Sequence, residues 1–128
     1  DRVYIVQPHP LGKMAFLSIQ FEVKRNGISP MFDYVQSKPM SEVAAFSKML
    51  AEELFVYYTD IDHDIQDKVA KSILSVNGCK AVAIKRLNST SDWVGNIFCE
   101  FTDDNYPDKD TIHKVLHDAA INIQYILP

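Results

Sequence analysis

Asp60, Asp62 and Asp64 alternate in the segment TDIDHD, and carboxylates in that rhythm form the first half of a calcium-binding loop. The second half does not follow. The sixth position is Ile65, where the loop's sharp turn takes glycine, and the twelfth is Lys71, where a bidentate glutamate closes the coordination. Asp62 or Asp64 is expected instead to cap a helix. His113 and His117 are spaced i, i+4, which puts two imidazoles on one side of a helix and would offer two ligands to zinc. With no glutamate between them and no third ligand in view, they read as solvent-facing residues beside an apolar stripe. His9, between two prolines, and His63, in the acidic turn, read as loop residues.

Nucleophilic chemistry has no better footing. The chain holds four glycines and no Gly-x-Ser-x-Gly elbow, P-loop or Gly-x-Gly-x-x-Gly. Ser89, Thr90 and Ser91 are consecutive turn residues with no base assigned to them. Cys79 and Cys99 are the two thiols. If Leu87 pairs with Trp93 across the turn, Cys79 falls opposite Phe101 and Ala81 opposite Cys99. The thiols are then diagonal neighbours with Cβ atoms roughly 7 Å apart, against the roughly 4 Å of a disulfide. They read as two small buried residues. No catalytic residue, metal ligand or cofactor is assigned, and the chain reads as a non-enzyme.

The elements that would position any site follow from pattern. Val3 to Val6 is a β-rich run, and Pro8 and Pro10 predict a loop over residues 7 to 13. Met14 to Val23 alternates, with Ala15, Leu17, Ile19, Phe21 and Val23 on one parity, as in a half-buried strand. Asn26-Gly27 turns the chain, and residues 28 to 40, with Pro30 and Pro39, read as a covering loop over a pocket. Ser41 caps a predicted helix in which Val43, Phe46, Leu50 and Leu54 share a face. A short strand from Phe55 to Thr59 leads to a helix bearing Ile65, Val69, Ile73 and Val76, closed by Gly78 as a left-handed C′ residue. A hairpin follows, Cys79 to Leu87 and Trp93 to Thr102. Asp110 or Thr111 then caps a last helix with Ile112, Val115, Leu116, Ala119, Ala120 and Ile123 in one stripe.

In that arrangement a pocket would be lined from the covering loop and the helix after it, with Phe32, Tyr34, Phe46 and Tyr57 as candidates. The same residues would serve equally as core. Trp93 opens a strand beside the polar turn, where an exposed indole would mark an interface and a buried one a structural role. Tyr125, Ile126 and Leu127 are expected as apolar surface left for a partner.

Composition narrows the class. The 128 residues, 47% hydrophobic and 11% aromatic, suit a single domain with one core. A net charge of −4 and scattered lysines and arginines exclude a phosphate-backbone partner, so no nucleic acid is expected. No apolar run approaches the roughly 20 residues of a membrane span, and membrane insertion by this segment is not expected. Opening at Asp1 directly into a strand, the chain reads as a domain excised from a longer one.

The element order β-β-loop-α-β-α-β-β-α, with DRVYIV at the first strand, Tyr57 to Asp60 leading into Ile61 and Asp62, AVAIKRL, WVGNIFCEF and an acidic loop before the last helix, resembles a GAF domain across almost the whole chain. The resemblance implies an α+β fold, profilin-like: an antiparallel sheet of five or six strands, helices on one face and a pocket under loops on the other. Two features depart from the pattern. The usual helix before DRVYIV is absent, and Lys85 stands where many members have proline. Bilin-binding members need a thiol at the chromophore, phosphodiesterase members an Asn-Lys-Phe-Asp-Glu set, and methionine-sulfoxide-reducing members a pocket cysteine set. Cys79 and Cys99, both on the hairpin, supply neither thiol arrangement, and nothing like the Asn-Lys-Phe-Asp-Glu set occurs.

The resemblance implies a sensory or regulatory module that binds a small ligand or a protein partner and signals to whatever precedes Asp1, as a homodimer in the full-length protein and in the cytoplasm. The stretch FCEFTDDNYPDKDTIHKVLHDAA is also similar to the soluble domain of T-type phage holins. That alternative implies a membrane-anchored, periplasmic domain binding an antiholin. A small enzyme of unknown chemistry stands third.

Overall fold

The computed structural model describes residues 1–10, 13–89 and 92–125. Six strands form one antiparallel sheet: β1 (Arg2–His9), β2 (Phe16–Lys24), β3 (Lys38–Pro39), β4 (Phe55–Tyr58), β5 (Ala81–Ser89) and β6 (Asp92–Phe101), in the spatial order β3-β2-β1-β6-β5-β4. The helices are α1 (Ala44–Glu52), α2 (Ile61–Asp64), α3 (Lys68–Val76) and α4 (Lys109–Ile123), with 3-10 turns at Phe32–Tyr34 and Met40–Val43. The α+β fold expected from the sequence is present.

Helices cover both faces, where the resemblance implied one. Tyr4, Val6, Leu17, Ile19, Val82, Ile84 and Phe98 point to a first face, against Val43 and Leu50 near α1 and Ala70 and Leu74 of α3. Ile5, Ala83, Leu87, Ile97 and Cys99 point to the second face, under Ile112, Leu116 and Ala120 of α4. Those three belong to the predicted six-residue stripe, with Ala119 and Ile123 partly buried beside them, but Val115 is largely exposed.

Several local expectations change. Pro8 lies inside β1 opposite Leu17, because β1 pairs with β6 only as far as Val6 and beyond it has no second ladder to interrupt. The β2 alternation does not stay on one face. The register slips between Ile5 and Val6, so Ile19 pairs with Val6 and Phe21 with Ile5. That bulge turns Phe21 and Val23 to the second face, where they are 59% and 75% exposed. Ser41 lies in a 3-10 turn and caps nothing; α1 starts after Val43 with no capping side chain of its own N-cap residue, and Leu54 lies beyond it, exposed.

Asp60 and Asp67, rather than Asp62 or Asp64, accept the cap hydrogen bonds of α2 and α3 from His63 N and Ala70 N. Asp108, not Asp110 or Thr111, caps α4 through Thr111 N at 2.9 Å. Gly78 does close α3 with φ +80°, and Cys79 N returns to Leu74 O at 3.0 Å.

The hairpin register differs by two residues from the expected one. Leu87 pairs with Gly95 and Ala83 with Cys99, with an irregularity between Leu87 and Asn88. Cys79 precedes the strand and joins the core of the first face, whereas Cys99 joins that of the second. The sheet separates the thiols, and both are free.

Candidate functional site

The first face carries a cavity of about 50 Å³ within a cleft of about 470 Å³ that includes its open mouth. Its floor comes from three strands remote in sequence: Tyr4 and Val6 of β1, Leu17 of β2 and Phe98 of β6. Alternation brings these to one side, and the β1–β6 register sets Tyr4 opposite Phe98, whose rings stack at 5.0 Å between centroids. Phe46 of α1 extends this aromatic wall, 6.2 Å from Phe98. Leu50 of α1 and Ala70, Ile73 and Leu74 of α3 complete the helical side.

The two helices share an anchor. Asp67 Oδ1 accepts from Ala70 N of α3 at 3.1 Å, and Oδ2 accepts from Phe46 N of α1 at 3.4 Å. At its other end α1 is held by the sheet: Asn96 Nδ2 donates to Leu50 O at 3.0 Å, and Trp93 Nε1 donates to Asn96 Oδ1 at 2.8 Å.

The remaining wall is a strap, residues 31 to 43, which contributes Met31, Val35, Lys38 and Val43. Strand β2, which also pairs with β3 of the strap, supplies its ties. Glu22 accepts from Met31 N at 2.6 Å and Phe32 N at 3.3 Å, Ser18 Oγ accepts from Ser37 N at 2.7 Å, and Val35 O accepts from Ile19 N at 2.9 Å. Lys38 pairs with Leu17 across β2 and β3, so its stem runs along the floor. Its Nζ lies 3.6 Å from Glu42 Oε1, with 26% of the lysine side chain and 54% of the glutamate exposed.

Beside the floor, on the same face and one residue pair further along β1 and β6, lies a buried polar cluster. Tyr4 Oη donates to Glu100 Oε2 at 2.5 Å, and Arg2 Nη2 donates to Glu100 Oε1 at 2.5 Å. Arg2 also donates to Asn77 O and Ser29 O, both at 2.9 Å, while its buried Nε has no partner. Arg2 and Glu100 are fully buried. Burial, then the Glu100 charge, push the Tyr4 hydroxyl well above its ordinary value. The same two causes push up the Cys79 thiol. Neither cysteine lines the cavity.

Of the residues singled out from sequence, Phe46 lines the cavity. Phe32 and Tyr34 belong to the strap but are about half exposed, and Tyr57 is on the other face, donating to Pro107 O at 2.7 Å. Trp93 is buried and held by Asn96, which makes it structural and not an interface residue. Tyr125 is 81% exposed, and Leu127 lies outside the described residues. Sequence reasoning missed Tyr4, Leu17, Met31, Lys38 and Phe98; the parity of Tyr4 with Val6 was the available signal.

Among the described residues no group of three or more His, Cys, Asp or Glu is placed to hold a metal ion, and no helix is long and apolar enough to cross a membrane. Asp60 and Asp64 are occupied with local backbone: Asp60 accepts from His63 N and Asp64 from Asp60 N.

No family model matches the chain, and no curated protein does. Solved structures match over nearly its whole length. The phycocyanobilin-bound GAF domain of a cyanobacterial phytochrome is 15% identical with a TM-score of 0.69, over 98% of this chain and 75% of that one. The GAF domain/HD domain protein of Geobacter sulfurreducens is 13% identical with a TM-score of 0.71, over 97% and 77%. The GAF domain of a two-component sensor histidine kinase from Bacillus halodurans is 15% identical with a TM-score of 0.64, over 98% and 82%. Strand order, two-sided helical cover and a strapped cavity on one face thus come together in a chain whose fold is that of a GAF domain.

Proposed function

We propose that this chain is a non-catalytic sensory or regulatory domain whose small ligand occupies the cavity between the first sheet face and the strap. The observation that carries this reading is the cavity itself: an apolar space under a strap hydrogen-bonded to β2, in a domain with no assembled catalytic constellation among its described residues. The matched phytochrome domain binds phycocyanobilin, which supports a ligand role for the fold. A thiol-linked bilin does not suit this chain, because Cys79 and Cys99 lie away from the cavity.

Xenon tests whether the cavity admits a guest independently of head-group chemistry. With methyl-¹³C methionine, xenon pressure is expected to shift Met31, which lines the cavity, and Ala70→Leu, which fills it, is expected to abolish the shift. An unmoved Met31 in the wild-type chain would overturn the reading.

A further inference from the structure

We infer that the cavity is a site for an apolar ligand: the group it encloses is hydrocarbon, held by shape and dispersion with no hydrogen bond from the lining. This rests on the reading of the cavity as a ligand site and adds the chemical class. Among the described residues the lining carries two side chains with a polar group beyond the backbone, Tyr4 and Lys38. Tyr4 Oη donates to Glu100 Oε2, and Lys38 Nζ lies against Glu42 Oε1. The other lining side chains are those of valine, leucine, isoleucine, alanine, methionine and phenylalanine. The buried side-chain atoms that lack a partner, Arg2 Nε, Arg86 Nε and Asn88 Oδ1, all belong to residues outside the lining.

The irregular backbone of the lining is engaged as well. Met31 N donates to Glu22, Val35 N donates to Phe32 O, and Val35 O accepts from Ile19 N. Phe46 N lies in the first turn of α1 and Leu50 O in its last, where a helix leaves such groups open. Asp67 takes the first and Asn96 Nδ2 the second. A polar group carried into this space would give up water for Val6, Leu17, Leu50 and Phe98 and gain no partner. A hydrocarbon loses nothing there and gains by leaving water.

The surface beside the lining has the same character. Ile73 lines the cavity from α3, and Val69 and Val76 stand four residues before it and three after, on the side turned away from the buried Ala70 and Leu74. Both valines are exposed, and so is Phe32, next to Met31 of the lining. The end of α3 and the approach to the strap are neighbours, because Arg2 donates to Asn77 O and to Ser29 O. Apolar surface thus continues outward from the lining along α3 and along the strap. Apolar residues gathered in this way mark a binding surface, where single scattered ones do not. An apolar body larger than the enclosed space finds contact on these residues, so the class does not depend on the enclosed volume.

The test uses two pairs of probes of different size, propane with ethanol and toluene with phenol, in which a hydroxyl replaces a methyl group. Each is titrated into the methyl-¹³C methionine-labelled chain. Met31 lines the cavity, whereas Met14, Met40 and Met49 pack on the surrounding core and serve as internal controls. The expected result is saturable movement of the Met31 methyl, beyond that of the other three, with at least one hydrocarbon. Its preference over the hydroxyl partner is expected to exceed, by about tenfold or more, the ratio at which the pair partitions from water into octanol, because octanol offers hydrogen bonds and this lining does not. A smaller preference would show an open partner in the lining and overturn the class while leaving the cavity as a ligand site. A Met31 that responds to xenon but to none of the probes, or moves no more than the control methionines, would also overturn the class alone. A Met31 that responds to nothing, xenon included, would overturn both readings.

Discussion

Replacing Glu100 with glutamine keeps the shape of the side chain and removes the charge facing Arg2. Two donors now point at the two carboxylate oxygens, Arg2 Nη2 at Oε1 and Tyr4 Oη at Oε2. Glutamine's oxygen can accept from Arg2 and its NH₂ can donate to the Tyr4 oxygen, so what the substitution removes is the charge opposite Arg2 and the two charge-assisted hydrogen bonds. Arg2 keeps the carbonyls of Asn77 and Ser29 but stays charged with no exposed surface. Leaving one member of such a pair uncompensated costs about 3–5 kcal/mol, a large share of the roughly 5–15 kcal/mol that stabilises a domain. Arg2→Met is expected to cost a similar amount, because it strands the carboxylate. The unpartnered Nε shows that the desolvation of Arg2 is incompletely compensated even in the intact pair. The apolar double variant Arg2→Met/Glu100→Leu is therefore expected to lose less stability than either single one. Urea denaturation with an unchanged m-value measures these three variants and the single Glu100→Leu. Single variants costing under about 1 kcal/mol, or a double variant equal to the sum of Arg2→Met and Glu100→Leu within about 0.5 kcal/mol, would refute the account.

Alkali and a strand glycine provide two further predictions. Cys79 and Tyr4 both have folded values raised above their ordinary 9.0 and 10.0, chiefly by burial and then by Glu100. The fold favours their protonated forms, so their contribution is complete below those values and is lost as pH rises past them. Stability is expected to hold up to about pH 9 and then fall by up to about 1.4 kcal/mol per pH unit for each group, less steeply in Cys79→Ala; a flat profile to pH 11 would contradict this. A Cβ at Gly95 would stand 2.7 Å from the backbone oxygen of Val6 and 3.1 Å from Gln7 Cγ. Gly95→Ala is expected to cost about 3 kcal/mol, because a backbone carbonyl in a paired strand cannot yield; a urea midpoint close to wild type would exclude the clash.

The parts of this fold that are legible in sequence depend on neighbours a few residues apart. Gly78 after Val76, and Ile112, Leu116 and Ala120 at helical spacing, state a helix end and a buried stripe locally. The β2 bulge is a different kind of fact. Ala15 to Val23 alternates as though it served one face, and only pairing with β1 sends Leu17 and Ile19 one way and Phe21 and Val23 the other. Asp67 and Asp108 were passed over as caps because neighbouring acidic residues offered equivalent spacing. The cavity was least legible, since Tyr4, Leu17 and Phe98 meet only once three strands are in register. Phe32 and Tyr34 are aromatic residues on the right segment, but they face outward. Lys38, between serine and proline, looks like any surface lysine until β3 pairs with β2.

Asp67 has a consequence for how a guest could get in. Its carboxylate caps α3 and also accepts from Phe46 N of α1, so a rotation that carried the two helices apart would strip α1 of that tie near its N-terminus. Asn96 pins α1 again near its far end. The helical side is thereby a fixed jamb. The strap, in contrast, is held to β2 by the two-residue β3 ladder and by separate hydrogen bonds to Glu22, Ser18 and Ile19 at the margin of the sheet, where water can replace them one at a time. For a guest of the proposed kind the way in is accordingly the outer margin of the sheet, where the strap would have to part from β2.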